Sequence, residues 1–354
     1  MPHMRDRSLL VTGGAGFIGS AFVRRAIAAG ARVVTLDALT YAGDRATLAD
    51  LNGNDAHRFV HGSINDRALV GDLMRTHRPS AIINFAAESH VDRSIDGPGA
   101  FIETNVNGVF ELLEAARAYC EGGAPSDFRF LQVSTDEVYG SVAEGFSDEA
   151  GPLAPNSPYA ASKAAADHLV RAYHRTYGLP TLVTRSSNNY GPYQFPEKLI
   201  PLMILNALTG KPLPVYGDGL QVREWIHVFD NCTAIETVLG SGTPGETYNI
   251  GTGSSTQNIE LVRLLCGLID ELRPDGAPHE ALIAHVADRP GHDRRYAIDT
   301  GKIATELGWR PDIAIEDGLA RTVRWYLENE DWWRRIQDGS YRGERLGLAV
   351  RATG

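Results

Sequence analysis

A glycine-rich segment near the amino terminus, residues 13–19 with the sequence GGAGFIG, constrains the fold more than any other stretch of the chain. The apolar run before it predicts a strand over 8–12, and the run after it predicts a helix over 20–29. Its glycines fit both G-x-G-x-x-G and G-x-x-G-x-x-G, and they are Gly13, Gly14, Gly16 and Gly19. Either spacing places small residues where the backbone must approach a pyrophosphate at a helix amino terminus. The segment therefore predicts a dinucleotide site.

An acidic residue at the end of the second predicted strand indicates which dinucleotide is bound. That strand covers 31–36 and is followed directly by Asp37. A carboxylate at this position accepts hydrogen bonds from the adenosine ribose and repels a 2′-phosphate, so the sequence favours NAD over NADP. The alternative for both features is a glycine-rich turn with a solvated Asp37.

The first half of the chain continues this alternation of strands and helices. Further strands are predicted over 58–61, 81–86, 128–133 and 181–184, with helices over 68–76, 101–119 and 158–177. This βαβ rhythm is typical of an α/β fold with a doubly wound parallel sheet of the Rossmann type. The helix over 101–119 is apolar around much of its surface, which indicates either burial within the fold or pairing with a helix of a second copy.

After residue 185 the chain changes character, and we expect a smaller α/β lobe that is interleaved with the first. Helices are predicted over 198–208, 229–239, 258–272 and 315–329, and strands over 213–216, 222–227 and 247–250, the first two of them around a turn. The predicted domains are 1–187 with 228–251 for NAD binding, and 188–227 with 252–354 for the substrate.

Composition narrows the possible partners of this 354-residue chain. Its formal net charge of −10 argues against nucleic acid as a partner. No apolar run approaches the roughly 20 residues that a membrane span needs. The cysteines Cys120, Cys232 and Cys266 are widely spaced. That spacing suits reduced thiols in a cytoplasmic protein and predicts neither a disulfide framework nor a metal site.

Two segments carry groups suited to oxidation and proton transfer. Residues 134–140, STDEVYG, directly follow the strand over 128–133, at the edge where open α/β sheets bind their ligands. Tyr159 and Lys163 are four residues apart, so they share one face of the helix over 158–177. Together the segments supply a hydroxyl, a phenol, an ammonium and two carboxylates. The alternative is a turn and helix cap for the carboxylates and a surface pair for Tyr159 and Lys163.

Four stretches carry a resemblance to a known family, and they are 37–43 (DALTYAG), 85–94 (FAAESHVDRS), 135–137 (TDE) and 288–296 (DRPGHDRRY). Over about 8–326 the chain resembles the extended short-chain dehydrogenase/reductase family and, within it, the dTDP-glucose 4,6-dehydratases. The glycine segment and the Tyr159/Lys163 pair mark only the wider superfamily. The adjacent carboxylates Asp136 and Glu137 argue against the sugar-nucleotide epimerases, which typically lack them.

The resemblance implies an NAD-dependent lyase that converts dTDP-glucose to dTDP-4-keto-6-deoxyglucose. The implied steps are oxidation at C4, elimination of water across C5 and C6, and hydride return to C6. Tyr159 is expected to take the proton of the 4-hydroxyl, with its pKa lowered by Lys163 and by the nicotinamide. Thr135 is expected to hold that oxygen, Glu137 to act as the base at C5, and Asp136 to protonate the departing 6-hydroxyl.

The resemblance also implies binding residues, position by position. The implied cofactor contacts are Gly13, Gly16, Phe17, Ile18, Gly19, Asp37, Leu39, Thr40, Ser63, Ile64, Phe85, Ala86, Ala87, Thr104, Tyr159, Lys163 and Asn188. The implied sugar-nucleotide contacts are Ser89, Thr135, Asn189, Lys198, Leu199, Pro214, Tyr216, Arg223, Asn258, Asp288, Arg289 and His292. The family usually has Asp where this chain has Ser63, so an uncharged acceptor is expected to face the adenine amino group.

An acidic chain that binds a diphosphate needs a local basic patch. The candidates are Lys198, Arg223, Arg289, His292, Arg294 and Arg295. Arg223 and His292 are the better candidates. The alternative for each is a surface charge or an ion pair.

The resemblance further implies a homodimer with a four-helix bundle built from the helices over 101–119 and 158–177. Two other functions stay open at this point. A sugar-nucleotide 4-epimerase or decarboxylase of the same superfamily shares the fold, the cofactor and the Tyr159/Lys163 pair. A non-catalytic nucleotide-sensing regulator needs no such pair, and the absence of turnover would identify it.

Overall fold

A seven-stranded parallel sheet lies at the centre of the computed structural model, which describes residues 4–339. Along these residues the strands are β1 (Ser8–Thr12), β2 (Arg32–Asp37), β3 (His57–His61), β4 (Ala81–Asn84), β5 (Arg129–Thr135), β6 (Thr181–Ser186), β7 (Asn188–Tyr190), β8 (Leu213–Tyr216), β9 (Val222–His227), β10 (Thr247–Ile250), β11 (Ser255–Gln257) and β12 (Ile283–Val286). The order in the large sheet is β10-β6-β5-β4-β1-β2-β3. The sheet therefore grows outward from β1 in both directions, which confirms the predicted doubly wound Rossmann-type fold.

Helices cover both faces of this sheet and build most of the second lobe. They are α1 (Phe17–Ala28), α2 (Arg67–His77), α3 (Val91–Asp96), α4 (Gly99–Ile102), α5 (Val109–Glu121), α6 (Pro158–Tyr177), α7 (Leu199–Leu208), α8 (Val228–Ser241), α9 (Asn258–Leu272), α10 (Gly301–Leu307), α11 (Ile315–Glu328) and α12 (Glu330–Gly339). Short 3-10 helices lie at Arg45–Leu51, Asp136–Tyr139 and His279–Leu282. The helices α3, α10 and α12 were not predicted from the sequence. No helix in the described part of the chain is long and apolar enough to cross a membrane.

The side chains of β1 show how the sheet divides the first lobe into two apolar layers. Leu9 and Val11 point to the layer that α1 and α8 cover, and Leu10 points to the layer that α2, α5 and α6 cover. Successive strand residues face opposite sides of a sheet, and a parallel sheet needs apolar residues on both. The unbroken apolar runs in the sequence follow from this burial on two sides.

The helix predicted over 101–119 is interrupted in the structure. A π-helical turn, Glu103–Gly108, joins α4 to α5. Within this turn, the side chain of Asn105 is buried and donates a hydrogen bond to the hydroxyl of Ser162 on α6 at 2.9 Å. Such turns are frequent at functional sites, and here Thr104 lines a cleft at the edge of the sheet.

The two strands predicted around a turn at 213–216 and 222–227 both exist, but the pairing implied for them is wrong. β8 pairs in parallel with β12, whereas β9 pairs with β7 and β11. Pro214 in β8 has no N–H to donate, which suits an edge strand. Among the described residues β8 has the single neighbour β12. The glycine-rich link between β8 and β9 therefore connects two small sheets instead of closing a hairpin.

The second lobe has its own core, between α7, α9 and α11, and is interleaved with the first lobe as expected. After the excursion into that lobe, β10 returns to pair in parallel with β6 of the large sheet. The exact domain boundaries stay a prediction, and their ends, 1–3 and 340–354, lie outside the described residues. One segment argues for a change: Ile303 of α10 and Trp309 pack in the core of the first lobe, although 252–354 was assigned to the second.

Candidate active site

Two adjoining clefts open at the carboxyl edge of the large sheet, where the sequence placed the site. The first, of about 350 Å³, is lined by the glycine-rich segment and by the ends of β2, β4 and β5. The second, of about 190 Å³, lies against the second lobe. The clefts share Ser89, Glu137, Asn188, Asn189, Gln194, Glu197 and Lys198. A long ligand can therefore occupy both, with its reacting centre near Glu137.

The first cleft begins at the glycine-rich segment, where the backbone itself forms the wall. Gly13 has a positive φ of 69°, and a Cβ there would lie 2.5 Å from the amide nitrogen of Ala86. A Cβ at Gly19 would overlap the carbonyl oxygen of Gly13. The helix α1 starts directly after Gly16, so its free N–H groups point at this narrow space. The segment is shaped for a pyrophosphate at a helix amino terminus.

Asp37 is fixed at the end of β2 by the backbone around it. Its Oδ2 accepts from the amide of Ala15 at 2.8 Å, and its Oδ1 accepts from the amide of Leu39 at 2.8 Å. Burial raises the pKa of this carboxyl, and the two amide hydrogen bonds oppose the rise. Both oxygens keep lone pairs for hydroxyl donors in the cleft. The position fits a ribose contact.

The predicted catalytic segment, residues 135–137, lies where the first cleft meets the second. Thr135 ends β5, and its hydroxyl donates to Oδ1 of Asp136 at 3.3 Å and accepts from the amide of Glu137 at 3.3 Å. This hydroxyl caps the 3-10 helix that carries both carboxylates. Asp136 is buried, and its Oδ2 has no hydrogen-bond partner among the described residues. Glu137 is half-buried and lines both clefts.

The two carboxylates differ in their surroundings. Burial raises the pKa of Asp136 well above its usual value, and the neighbouring Glu137 raises it further. Burial also raises the pKa of Glu137, but Arg289, Arg223 and Lys198 lower it. Adjacent carboxyls with different surroundings can hold one proton between them in a defined place. Asp136 is therefore the better proton donor of the two carboxyls, and Glu137 is the better proton acceptor.

Tyr159 and Lys163 both line the first cleft from α6, as their spacing predicted. The helix starts cleanly because the hydroxyl of Ser157 accepts from the amide of Ala160 and Pro158 follows it. The ammonium of Lys163 donates to the carbonyl of Val133 at 2.6 Å. That bond ties the middle of α6 to the end of β5, next to the catalytic segment.

The pKa values of this pair differ from expectation in one respect. Burial lowers the pKa of Lys163 to about 8, and Asp167 opposes that shift. Burial raises the pKa of Tyr159 well above its usual value, and Glu137 raises it further. In the protein alone, therefore, Lys163 does not produce the lowered phenol pKa that was expected, because the loss of water and the nearby carboxylate dominate.

The second cleft gathers the predicted substrate residues from widely separated segments. Those that line it are Ser89, Asn189, Lys198, Leu199, Pro214, Tyr216, Arg223, Asn258, Arg289 and His292. Arg223 is 5% exposed and donates to the carbonyl of Asp293 at 2.8 Å. Lys198 donates to the carbonyl of Ser89 at 2.8 Å. These cations give an acidic protein a local positive surface.

Two predicted binding residues lie outside the cleft linings. The side chain of Leu39 packs against the first core, and only its amide holds Asp37. Asp288 binds Nδ1 of His292 at 2.6 Å and the side-chain amide of Gln221 at 2.9 Å. Asp288 therefore orients the loop that carries His292, and its role in substrate binding stays a prediction.

The basic-patch prediction holds for four of its six candidates as far as position is concerned. Lys198, Arg223, Arg289 and His292 line the clefts. Burial lowers the pKa of His292 to about 4, with Arg289 the next cause, so this ring is neutral near pH 7. Arg294 instead pairs with Asp218 at 2.8 Å, and Arg295 binds backbone carbonyls. Both lie outside the cleft linings, and the contact of Arg294 is the surface ion pair that the alternative describes.

The sequence of the whole chain matches known dehydratases. The family model described as GDP-mannose 4,6 dehydratase matches residues 10–322. The dTDP-glucose 4,6-dehydratase of Xanthomonas campestris pv. campestris (strain B100) is 62% identical over 347 residues, which are 96% of this chain and 99% of that protein. The dTDP-glucose 4,6-dehydratase of Escherichia coli is 52% identical over 358 residues, with coverage of 96% and 99%. The chain belongs to the dTDP-glucose 4,6-dehydratase family.

Solved structures agree with this family assignment. A dTDP-glucose 4,6-dehydratase from Streptomyces venezuelae with NAD bound has a TM-score of 0.86 and 52% identity, covering 93% of this chain and 99% of that chain. The UDP-glucose 4-epimerase of Thermus thermophilus, a complex with NAD, has a TM-score of 0.80 and 32% identity, covering 91% and 99%. The fold is thus shared with epimerases, while the sequence is nearer to the dehydratases.

Two charged residues of the clefts, Glu197 and Asp92, were not predicted from the sequence. Glu197 lines both clefts with a fully buried side chain, and its Oε1 accepts from the hydroxyl of Tyr41 at 3.0 Å. Asp92 pairs with Arg289 at 2.9 Å and accepts from Tyr216 at 3.2 Å. In the sequence, the one indication that Glu197 belongs to the site was its position next to Lys198, a predicted substrate residue. Asp92 lies within the family-like stretch 85–94, but nothing local showed its partners.

No group of three or more His, Cys, Asp or Glu side chains within residues 4–339 is arranged to hold a metal ion. The polar groups of the clefts are instead hydroxyls, amides, paired carboxylates and cations. This set of groups suits proton transfer and anion binding.

Proposed function

We propose that this protein catalyses the NAD-dependent dehydration of dTDP-glucose to dTDP-4-keto-6-deoxyglucose. The observation that carries the proposal is the placement of Asp136 and Glu137, two carboxyls in different surroundings, within one cleft junction with Tyr159 and Lys163. An epimerase needs the tyrosine and lysine for oxidation at C4. It has no use for a separate acid and base at C5 and C6.

The first cleft fits NAD. Gly13 and Gly19 leave no room for a side chain where a pyrophosphate would contact the backbone. Asp37 has two oriented oxygens for the ribose, and its charge disfavours NADP. Ser63 lines the adenine end in place of the usual Asp. When bound, NAD supplies the acceptor that oxidises the sugar at C4 and returns the hydrogen at C6.

The protein's own groups carry the protons. In its phenolate form, which the positive charges of Lys163 and of bound NAD would favour, Tyr159 takes the proton from the sugar 4-hydroxyl, and the hydroxyl of Thr135 holds that oxygen. Glu137, whose negative charge three cations stabilise, removes the proton at C5 and gives a proton back to C5 when the hydrogen returns to C6. Asp136, whose pKa burial raises well above its usual value, donates its proton to the 6-hydroxyl, which leaves as water. The buried ammonium of Lys163 offsets negative charge that forms on the phenol.

The second cleft holds the nucleotide part of the substrate. Arg223, Arg289 and Lys198 supply the positive charge for the diphosphate. Arg223 and Arg289 are held rigidly, since Asp293 and Asp92 fix their guanidinium groups. Apolar residues of α7 and β8, among them Leu199 and Pro214, form the wall for the base.

A direct assay tests this function. The purified protein is incubated separately with dTDP-glucose, UDP-glucose and GDP-mannose, and the product masses are measured. Loss of one water from dTDP-glucose alone is the expected result. A product of unchanged mass would indicate an epimerase, and the absence of any turnover would indicate a nucleotide-sensing regulator.

The same proposal includes a homodimer. Ile102 of α4, Phe110 of α5 and Tyr177 of α6 are 48%, 38% and 55% exposed. Large apolar side chains on neighbouring helices suit a four-helix bundle with a second copy. Sedimentation at micromolar concentration is expected to show a dimer, and the double substitution Ile102→Asp with Phe110→Asp is expected to give monomers. A wild-type monomer under these conditions would contradict the dimer.

A cytoplasmic location completes the proposal. Cys120, Cys232 and Cys266 are free thiols, and Cys232 and Cys266 are buried in the two cores. Unpaired thiols suit a reducing compartment. Cell fractionation is expected to recover the enzyme with the cytoplasmic proteins, and recovery outside the cytoplasm would contradict this placement.

A further inference from the structure

The loop that follows β2, residues 38–44, forms one wall of the first cleft. Thr40, Ala42 and Gly43 line the cleft directly. The loop begins at Asp37, and Gly43 packs so closely that a Cβ there would lie 2.8 Å from Oδ1 of Asp37. Dinucleotide cannot leave through this side of the cleft unless the loop moves, so whatever holds the loop controls that route. This loop is called the cofactor loop below.

On its inner side the cofactor loop is held by residues of the cleft junction. The hydroxyl of Tyr41 donates to Oε1 of Glu197 at 3.0 Å. The guanidinium of Arg93 lies 4.2 Å from the centre of the Tyr41 ring, which is within range of a cation–π contact. The ring of Phe195 meets that of Tyr41 edge to face at 5.7 Å.

On its outer side the cofactor loop is held by α12, almost 300 residues further along the chain. Arg335 pairs with Asp44 at 2.6 Å between Nη2 and Oδ2. Ile336 is 5% exposed and forms a small apolar cluster with Phe195, against which Tyr41 and Ala42 pack. An exposed ion pair alone is worth little, but an apolar contact and an ion pair on one helix act together.

The helix α12 is itself anchored in the second lobe. Trp333 is 2% exposed in the core of that lobe, and its ring N–H donates to the carbonyl of Tyr326 at 2.9 Å. Trp332 contacts the rings of Trp325 and Tyr193, with centroids 5.2 and 5.5 Å away. The helix therefore transmits the position of the substrate lobe to a loop of the cofactor lobe.

We propose that α12 is a clamp that keeps the cofactor loop closed over bound NAD, with Arg335 and Ile336 as positioning residues. The inference rests on the proposed function, in which NAD ends each turnover unchanged and has no need to exchange. Opening of the loop requires Ile336 to leave its apolar cluster and Arg335 to leave Asp44. Release of NAD is slow because both contacts must break before the loop can move.

The test measures how fast bound NAD exchanges. Full-length protein that has copurified with NAD is mixed with isotopically labelled NAD, and the label in the protein fraction is followed by mass spectrometry. Ile336→Ala is expected to exchange about tenfold faster than the wild type, since losing about 1.4 kcal/mol of closed-state contact gives that factor. Arg335→Ala removes only an exposed ion pair and is expected to exchange about threefold faster. Removal of free NAD is expected to lower the activity of these two variants, because they release bound NAD faster, and adding NAD is expected to restore it.

Matched variants separate the clamp from a general loss of structure. Arg334→Ala removes an exposed ion pair with Glu330 on the same helix, and it is expected to leave the exchange rate unchanged. Arg335→Lys keeps the charge and is expected to exchange slowly. Thermal melting of each variant reports folding independently of the cofactor.

Three outcomes would overturn the inference, and they can be told apart. If folded Ile336→Ala and Arg335→Ala exchange NAD at the wild-type rate, the proposed clamp is wrong and the proposed dehydration is unaffected. If the wild-type protein holds no NAD and releases no water from dTDP-glucose, both proposals are wrong. Equal acceleration in Arg334→Ala would assign the effect to the helix in general and would also contradict the specific clamp.

Discussion

The two clefts of this enzyme are built in different ways. The cofactor cleft is formed mainly by backbone, with Gly13 and Gly19 at the pyrophosphate position and amides that orient Asp37. The substrate cleft is formed by long side chains from distant segments, such as Arg223 and Arg289, which are fixed by partners elsewhere in the chain. In the cofactor cleft, a Cβ added at Gly13 or Gly19 would collide with the backbone. In the substrate cleft, each charged side chain that is removed is expected to weaken ligand binding by a limited amount.

The difference also explains why one cleft was easier to predict. The glycine-rich segment, Asp37 and the Tyr159/Lys163 pair act through spacings of a few residues, which a sequence displays directly. The proposed acid and base, Asp136 and Glu137, follow β5 at the junction of the two clefts, so substitutions there are expected to have the largest effects.

The largest effect is expected at the junction. Glu137→Gln removes the base at C5 while keeping its size, so the dehydration rate is expected to fall by about 10³-fold or more. Asp136→Asn still offers a hydrogen bond to the leaving oxygen but gives it no proton, and a loss of about 10²-fold is expected. Steady-state formation of the 4-keto product measures both. Normal turnover of Glu137→Gln would contradict the assigned roles.

A smaller but still severe effect is expected in the cofactor cleft. Gly19→Ala forces a Cβ against the carbonyl oxygen of Gly13, and the affinity for NAD is expected to fall by about tenfold to a hundredfold. Gly71→Ala on α2 is the control, because Gly71 lies outside both cleft linings and a Cβ there would meet only the end of the flexible Arg75 side chain, at 3.2 Å. The NAD content of purified protein and a titration of the apoprotein measure the change. Equal NAD binding by both variants would show that this wall is not rigid backbone.

In the substrate cleft, removal of one charge is expected to weaken binding without abolishing it. Arg223→Gln keeps a donor for the carbonyl of Asp293 but loses the charge near the diphosphate. The KM for dTDP-glucose is expected to rise about thirtyfold. Arg294→Gln, at an exposed pair with Asp218, is expected to leave KM unchanged. A KM that responds equally to both variants would argue against the local basic patch.

The pH dependence of stability, as distinct from activity, is also expected to differ between the clefts. The pKa of Lys163 in the cofactor cleft is lowered from 10.5 to about 8 by burial. Between these values the unfolded chain holds a proton that the folded protein has lost, so the free energy of unfolding rises with pH by up to about 3 kcal/mol. Below pH 8 Lys163 is protonated in both the folded and the unfolded state, so the free energy of unfolding is reduced by the full cost of burying its charge. Lys163→Met is expected to remove this rise.

His292 in the substrate cleft gives the corresponding effect on the acid side. Burial lowers its pKa from 6.5 to about 4. Between these pH values the His292 ring is neutral in the folded protein and charged in the unfolded chain. Stability from this group is expected to be present above pH 6.5 and to fall as the pH drops towards 4. Chemical denaturation of wild type, Lys163→Met and His292→Gln over the pH range measures both windows. Identical pH profiles for the three proteins would contradict the burial of these groups.

Much of the fold could be predicted from the sequence, because its strands and helices have distinct local periods. The runs at 8–12 and 181–184 are apolar on both faces, as buried parallel strands must be. The π-helical turn at Glu103–Gly108 could not be predicted, since it depends on the contact of Asn105 with α6. The pairing of β8 with β12 likewise depends on a partner about 70 residues away in sequence.

The same limit applies to the site. Thr135, Asp136 and Glu137 could be proposed from the sequence because they stand together at the end of one predicted strand. Glu197 could not be proposed, because its hydrogen-bond partner Tyr41 is 156 positions away. The contact of Arg335 with Asp44 joins residues 291 positions apart. Groups that act through such long-range partners become visible only when the fold brings them together.

The most direct test of the central claim follows hydrogen through one turnover. dTDP-glucose labelled with deuterium at C4 is converted in ordinary water, and unlabelled substrate is converted in heavy water, with the label positions read by NMR. If Glu137 exchanges the C5 proton and the C4 hydrogen stays within the site, the C4 label appears at C6 of the same molecule and solvent deuterium appears at C5. Loss of the C4 label to solvent, or a C5 position without solvent deuterium, would contradict the account.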